Sequence, residues 1–474
     1  MSQLILPDIL LLLFPFALIL LRQFFPGRKE LPFRASVIFF AAHFILLNAL
    51  LVGDSQTYLS NWKIDSFGIL MREVLVLGTL LALFFAKDYF DHPADGKPEL
   101  HQFSEFAAVL AAATFGGFTV ISARELLTLF LGLELATLPM YALTAWNKKD
   151  PQGSEAGTKY ILMGSVASAF ELFGISYLYG FSGSLHFDVI ADAVASSPVD
   201  PLLWISVLFL FCGIGFKLTL FPFHTWAPDV YEGAPTPVTA VLAVTSKTVA
   251  IAFLTVLVYG PLAVIHDKLI PFLSLLAGVT ILSGNLGALK QSRLRRFMAY
   301  SSISQAGYIL VALVGSPENA KTAILFYLLL YAFSNYLAFF VFGIIGEHRA
   351  ESFDSLAGLS KESPSLAVAL AVAAFSLAGI PPLAGFLGKF FLFESAASSK
   401  AYFLVAFACI NNVIALYYYL QLVKSAWVLP RNPEAHPLNV RPRQKFCVIA
   451  LTVCVLFAGI CPFISSNIAR ILSL

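Results

Sequence analysis

Six cations fall inside long apolar stretches of the chain: Arg72, Lys159, Lys217, Lys247, Lys389 and Lys424. A charge at the centre of a bilayer costs roughly 2.5–3.5 kcal/mol on insertion scales. Each therefore needs a partner, water, or the loss of its proton. Lys247 is the clearest case. It stands nine residues into the run 238–258, about 13 Å along a helix and too deep to reach an interface. Lysine gives up its proton more easily than other cations when desolvated, so Lys247 reads as a proton acceptor. Glu134, in Leu131-Gly132-Leu133-Glu134-Leu135-Ala136, sits at similar depth and needs a nearby cation to stay charged. Lys217, just before Pro222, is the candidate partner, and Lys389 follows a second proline break. Lys159 lies near a span end and His224 two residues beyond Pro222, where an imidazole titrates near neutral pH. Discrete lysines suit proton transfer better than sodium or metal coordination, which wants clustered oxygen, nitrogen or sulfur ligands. The alternatives are structural: a static Glu134–Lys217 pair, a hydrogen-bonded His224, snorkelling ends for Lys159 and Lys424, and a helix–helix contact at Arg72-Glu73.

These residues need a membrane to sit in. Of 474 residues, 58% are hydrophobic and 12% charged, with mean hydropathy +0.81; soluble domains carry about 25% charged residues. A net charge of +2 gives no reason to expect nucleic acid. The 45 Phe and 25 Pro exclude a coiled coil. Cys212, Cys409, Cys447, Cys454 and Cys461 form no CxxC pair and read as small buried hydrophobes. No nucleophile triad, nucleotide site, metal cluster or redox centre is visible. The first cation, Arg22, follows the leading apolar run, so the N-terminus does not read as a cleavable signal.

The fold class expected is all-α, a polytopic membrane protein of about fourteen spans, near 4–21, 32–52, 66–86, 105–122, 124–146, 156–180, 202–221, 237–258, 268–289, 297–315, 320–346, 365–397, 400–428 and 444–464. Two are broken, one at Pro222 and one at Pro381 and Pro382. Proline deletes a backbone donor, and the freed carbonyl survives only where protein or water lines it. With outer termini, the inner loops, Lys87 and Lys97 among them, hold eighteen Lys and Arg and the outer loops six, which fits the positive-inside rule. The layout divides into an N-terminal three-helix segment (1–104), a five-helix block (105–258), a second block of five (268–428) and a C-terminal helix (429–474). The broken span is fourth in each block. Five is odd, so the second block enters inverted.

The run Gly215-Phe216-Lys217 to Phe221-Pro222-Phe223-His224, then Trp226-Ala227-Pro228-Asp229-Val230-Tyr231-Glu232-Gly233-Ala234-Pro235-Thr236-Pro237, resembles the signature of the antiporter-like membrane subunits of respiratory complex I. Leu133-Glu134-Leu135, Lys159-Tyr160-Ile161-Leu162-Met163-Gly164, Arg296-Phe297-Met298-Ala299-Tyr300-Ser301 and Gly379-Ile380-Pro381-Pro382-Leu383-Ala384-Gly385 support it. The Asp-Val-Tyr-Glu-Gly-Ala-Pro-Thr-Pro version is similar to the N branch, the bacterial NADH–quinone oxidoreductase subunits of that letter, rather than the M or L branch. Lys389, where the M branch has glutamate, and the short tail agree.

The resemblance implies a proton-translocating, non-redox subunit driven by electron transfer elsewhere in an NADH–quinone oxidoreductase. It places the family's functional glutamate on Glu134, its lysines on Lys159, Lys217, Lys247 and Lys389, and its loop histidine on His224. It implies no cofactor in this chain, with FMN, Fe–S clusters, NADH and quinone in the parent complex. Expected partners are lipid, sister subunit M and small subunits K and J, in a bacterial inner membrane. The alternatives are a subunit of a related cation/proton antiporter or membrane-bound hydrogenase, or an inert scaffold. One departure stands out: Glu171 occupies a position on the sixth span that is usually apolar in the family.

Overall fold

The computed structural model describes residues 3–51, 56–58, 60–91, 102–431, 433, 436–460 and 463–472. Lys97 and Cys461 lie outside the described residues. The helices are α1 (Leu6–Phe24), α2 (Leu31–Ala49), α3 (Ser66–Asp91), α4 (Phe103–Ser122), α5 (Leu126–Thr144), α6 (Pro151–Ser182), α7 (Phe187–Ser196), α8 (Pro201–Lys217), α9 (Ala227–Gly233) and α10 (Thr236–Ala243). They continue with α11 (Thr245–Tyr259), α12 (His266–Ala288), α13 (Leu294–Ala312), α14 (Pro317–Gly346), α15 (Leu359–Glu362), α16 (Pro364–Ala378), α17 (Ala384–Ser398), α18 (Tyr402–Trp427), α19 (Pro442–Ile460) and α20 (Phe463–Leu472). A small hairpin, β1 (Gln56–Tyr58) and β2 (Trp62–Ile64), precedes α3.

Eleven of these segments are long and apolar enough to cross a membrane, and every expected span has its helix. Helix starts follow local chemistry. Asp150 and Asp200 accept the backbone N–H groups of Gln152 and Leu202, each beside a proline at the first helical position, the combination that best satisfies an N-terminus. Some details differ from expectation. The seventh span ends as a helix at Lys217, before Pro222. The eighth is interrupted at Val244 between α10 and α11, in an apolar run with no glycine or proline to announce it. The short α7, unforeseen, buries Phe187, Ile190 and Val194 on one stripe.

The chain forms two compact units, Met1–Trp226 with Gly233–Phe272 and Ile471–Leu474, and Ala227–Glu232 with Leu273–Arg470. Within the first, α4 packs on α5 and α6 on α8. Both contacts are closed by glycine: a Cβ on Gly132 would stand 2.7 Å from the Val120 nitrogen, and one on Gly174 2.7 Å from that of Leu210. Such small-residue seams are how helices associate without a hydrophobic driving force. Within the second, α14 lies against α16, α17 and α19, and α16 against α18.

Lys87 and Arg72 are structural charges, and of the two only Lys87 departs from expectation. Lys87 is no loop cation: it is 1% exposed within α3, bonded to Glu30 at 2.6 Å and Asp91 at 2.5 Å. Arg72 is also buried, 3.1 Å from Asp8 of α1, bonded to Ser122 of α4 and 4.9 Å from the Phe118 ring. It pins α1, α3 and α4 together. The thiols are not the buried hydrophobes expected. Cys409 is exposed and Cys212, Cys447 and Cys454 are half-buried, because each falls on the outward side of its helix.

In the second unit, Arg349 reaches Glu362 with Nη2 at 2.8 and 2.6 Å, and Glu362 also accepts the Leu438 N–H at 2.7 Å. Burial opposes the Glu362 charge. The Arg349 and Leu438 hydrogen bonds and the Arg349 and Arg431 charges outweigh it and hold Glu362 below the usual carboxylate range.

Candidate functional site

The first unit's site begins where α8 stops. Lys217 is its last residue, placed where the negative end of the helix dipole favours a cation. Its side chain is buried, and its Nζ donates to Glu134 Oε1 on α5 at 3.3 Å and to the Tyr141 hydroxyl at 3.4 Å. Glu134 also accepts Ser168 Oγ of α6 at 2.7 Å. The pair expected from mid-span charges is therefore formed, with a hydroxyl on each side.

Beyond Lys217 the chain leaves helical geometry without abandoning its hydrogen bonds. Thr219 N–H donates to Phe216 O at 3.0 Å, Leu220 N–H to Gly215 O at 2.7 Å, and Trp226 Nε1 to Phe216 O at 3.0 Å. The break thus satisfies the Gly215 and Phe216 carbonyls, as apolar surroundings require. Thr219 holds φ at 60°, in the left-handed region that a β-branched residue rarely adopts. Lys247 of α11, 1% exposed, donates to its hydroxyl at 2.9 Å. The Lys247 amine thereby reaches the break two residues past Lys217.

Lys389 of α17 occupies a comparable place in the second unit. The chain breaks at Gly379, φ 81°, leaving the last carbonyls of α16 without helical donors. Lys389 Nζ donates to Leu377 O at 2.8 Å, Ala378 O at 3.5 Å and Asn412 Oδ1 of α18 at 2.6 Å, and stands 4.5 Å above the Tyr308 ring. Gln305 of α13 shares the site, donating to Leu377 O at 3.0 Å and the Tyr419 hydroxyl at 3.3 Å while accepting from Tyr327 at 2.5 Å. Tyr419 in turn bonds Ser301.

The remaining expected residues are not gathered in. Lys159 is half-exposed and paired with Glu155 at 2.7 Å, one turn earlier on α6. His224 is half-buried, its ring 5.7 Å from that of Phe221, and its Nδ1 lacks a hydrogen bond. Pro222, Pro381 and Pro382 shape the breaks from exposed positions. Among the described residues no group of three or more His, Cys, Asp or Glu is arranged to hold a metal ion. Sequence reasoning missed Thr219, Ser168, Tyr141, Gln305 and Asn412. These are neutral polar groups, distinguished only by contact with a lysine (Thr219, Tyr141, Asn412), with Glu134 (Ser168) or with the carbonyl that Lys389 also bonds (Gln305).

Residues 123–415, which include both lysine sites, match the transmembrane family NADH:quinone oxidoreductase/Mrp antiporter. An NADH-quinone oxidoreductase subunit N from Moorella thermoacetica is 37% identical over 417 residues, covering 88% of this chain and 86% of its own. The chain belongs to the subunit N family. Its fold agrees with that assignment. A chain of respiratory complex I from Thermus thermophilus with bound aureothin, 32% identical, superposes with a TM-score of 0.81 over 97% of this chain and 98% of that one. A chain of the Mrp complex from Dietzia sp. shares the fold at 21% identity, with a TM-score of 0.85 over 98% and 96%. Subunit N relatives are parts of an enzyme complex, and this chain is a multi-pass membrane protein like them.

Proposed function

We propose that this chain moves protons across the membrane as a non-redox subunit of an NADH–quinone oxidoreductase, with Glu134, Lys217, Lys247 and Lys389 as proton carriers. The pair between buried Lys217 and half-buried Glu134 carries the reading. An ion pair at 3.3 Å in a poorly hydrated site is strong while closed. Moving Glu134 away removes its hold on the ammonium and frees the proton to pass onward, and Thr219 brings Lys247 to the chain just beyond it. In the second unit Lys389 is the corresponding carrier. Lys159 and His224 serve proton exchange with water at the margins, as their partial exposure suits.

This chain holds no cofactor in that scheme. FMN, the Fe–S clusters, NADH and quinone belong to other subunits, and redox energy arrives as movement. Sister subunit M and small subunits K and J are the neighbours, in a bacterial inner membrane with both termini outside. Residues 105–258 and 268–428 are the two inverted repeats, each broken at its fourth span.

The test is the assembled complex in proteoliposomes, with proton uptake and quinone reduction measured together. Lys217→Ala and Lys247→Ala lower pumping at least about a hundredfold, the low end of what proton-transfer groups contribute, while the complex still assembles. Normal coupled pumping in both variants overturns the assignment. Co-purification with NADH dehydrogenase subunits separates this reading from a free-standing cation/proton antiporter or a hydrogenase.

A further inference from the structure

We propose that Glu171 is a second proton-carrying carboxyl group of the Lys217 site, exchanging a proton with Glu134 by way of the Lys217 amine. The inference rests on the reading of Glu134–Lys217 as a proton site.

Four observations place it there. Glu171 is wholly buried, and both of its carboxyl oxygens lack a hydrogen-bond partner. It follows Ser168, the donor to Glu134, by three residues on α6, so the two share a face. It packs against Gly213 of α8, where an added Cβ would stand 2.6 Å from the Glu171 Cβ. Gly213 lies one turn before Lys217 on the same face of α8. The charged and titratable groups acting on it are Lys217 from α8 and Glu134 and Tyr141 from α5. Asp188 and Asp192 of α7 are exposed.

The site thus holds one cation and two acids. A buried carboxylate with no donor is costly, and its neutral acid form relieves that cost. With Glu134 bonded to Lys217, the proton rests on Glu171. In the exchange, the Lys217 ammonium gives a proton to the Glu134 carboxylate, and the resulting amine takes the proton of Glu171. One O–H bond forms at Glu134, one breaks at Glu171, and Lys217 ends charged, now paired with Glu171. Net charge stays constant throughout. Glu134 is then free of its ion pair without the lysine ever being left without a counter-ion.

The experiment uses the assembled complex. Glu171→Gln keeps the shape and removes the exchangeable proton, so pumping falls about a hundredfold, while Glu171→Asp retains most of it. Infrared difference spectra during turnover lose a protonated-carboxyl C=O band in Glu171→Gln. Glu134→Gln keeps residual pumping that Glu134→Gln/Glu171→Gln loses. Full pumping in Glu171→Gln, with Lys217→Ala defective, overturns this proposal alone; full pumping in Lys217→Ala overturns the site reading beneath it. Should Glu171→Gln fail to assemble, the infrared comparison of Glu171→Asp with the unsubstituted complex decides: a displaced carboxyl band supports the role and an unmoved one overturns it.

Discussion

Lys247 and Thr219 meet at 2.9 Å, amine to hydroxyl, with Thr219 held at φ 60°. Such a backbone conformation costs on the order of 1–3 kcal/mol for a residue with a branched Cβ. It is retained where the hydroxyl faces a buried amine. Thr219→Val keeps the branching but removes the acceptor, and should lower proton pumping while quinone reduction persists. Thr219→Ser restores pumping. Thr219→Gly relieves the conformation, so the complex melts at higher temperature yet pumps poorly. Equal pumping in Thr219→Val and the unsubstituted complex would show that the hydroxyl does not position Lys247.

Arg72 and Asp8 form a buried pair whose members cannot be removed singly without cost. Asp8→Leu leaves the Arg72 charge without its counter-ion, which should destabilise the first unit by about 3–5 kcal/mol. Adding Arg72→Met should recover much of that loss. Thermal unfolding of the purified complex, followed by release of this subunit, measures both. A double variant no better than Asp8→Leu would mean that packing rather than charge holds α1 in place.

Glu362 sets a pH limit on the segment it holds. Its folded value lies below the ordinary one of about 4.3, so its stabilisation is complete above that pH. The stabilisation is lost as pH falls through the lower, folded value. Hydrogen exchange at the Leu438 amide should therefore stay slow at neutral pH, after correction for the intrinsic rate, and lose its protection only in acid. Glu362→Gln should expose that amide already at pH about 7. Equal protection of the two proteins at neutral pH would rule out Glu362 as the restraint.

Much of the site is legible because membranes make charge conspicuous. Glu134, Lys217, Lys247 and Lys389 stand out against apolar neighbours, and proline marks the breaks beside Lys217 and Lys389. Other features leave no such trace. The left-handed conformation of Thr219 is imposed by the chain returning to Phe216 and Gly215, whereas threonine by type favours extended backbone. Asp8 sits at the start of α1, and its partner is 64 residues away. The interruption at Val244 has no glycine or proline near it. Gln305 and Asn412 are ordinary polar residues until their partners are known. Lys159, near a span end, is set apart from the other lysines by a glutamate one turn away on the exposed face.

The two lysine sites differ in what remains when a proton departs. Lys217 faces a carboxylate, so the neutral amine leaves an anion behind that attracts the next proton back to the same place. Every hydrogen-bond partner of Lys389 among the described residues is neutral: two carbonyls and an amide oxygen. A neutral amine there still has its cradle intact, and no counter-charge needs rearranging. The first site stores memory of the departed proton, like a sprung latch. The second resets without one, like a turnstile.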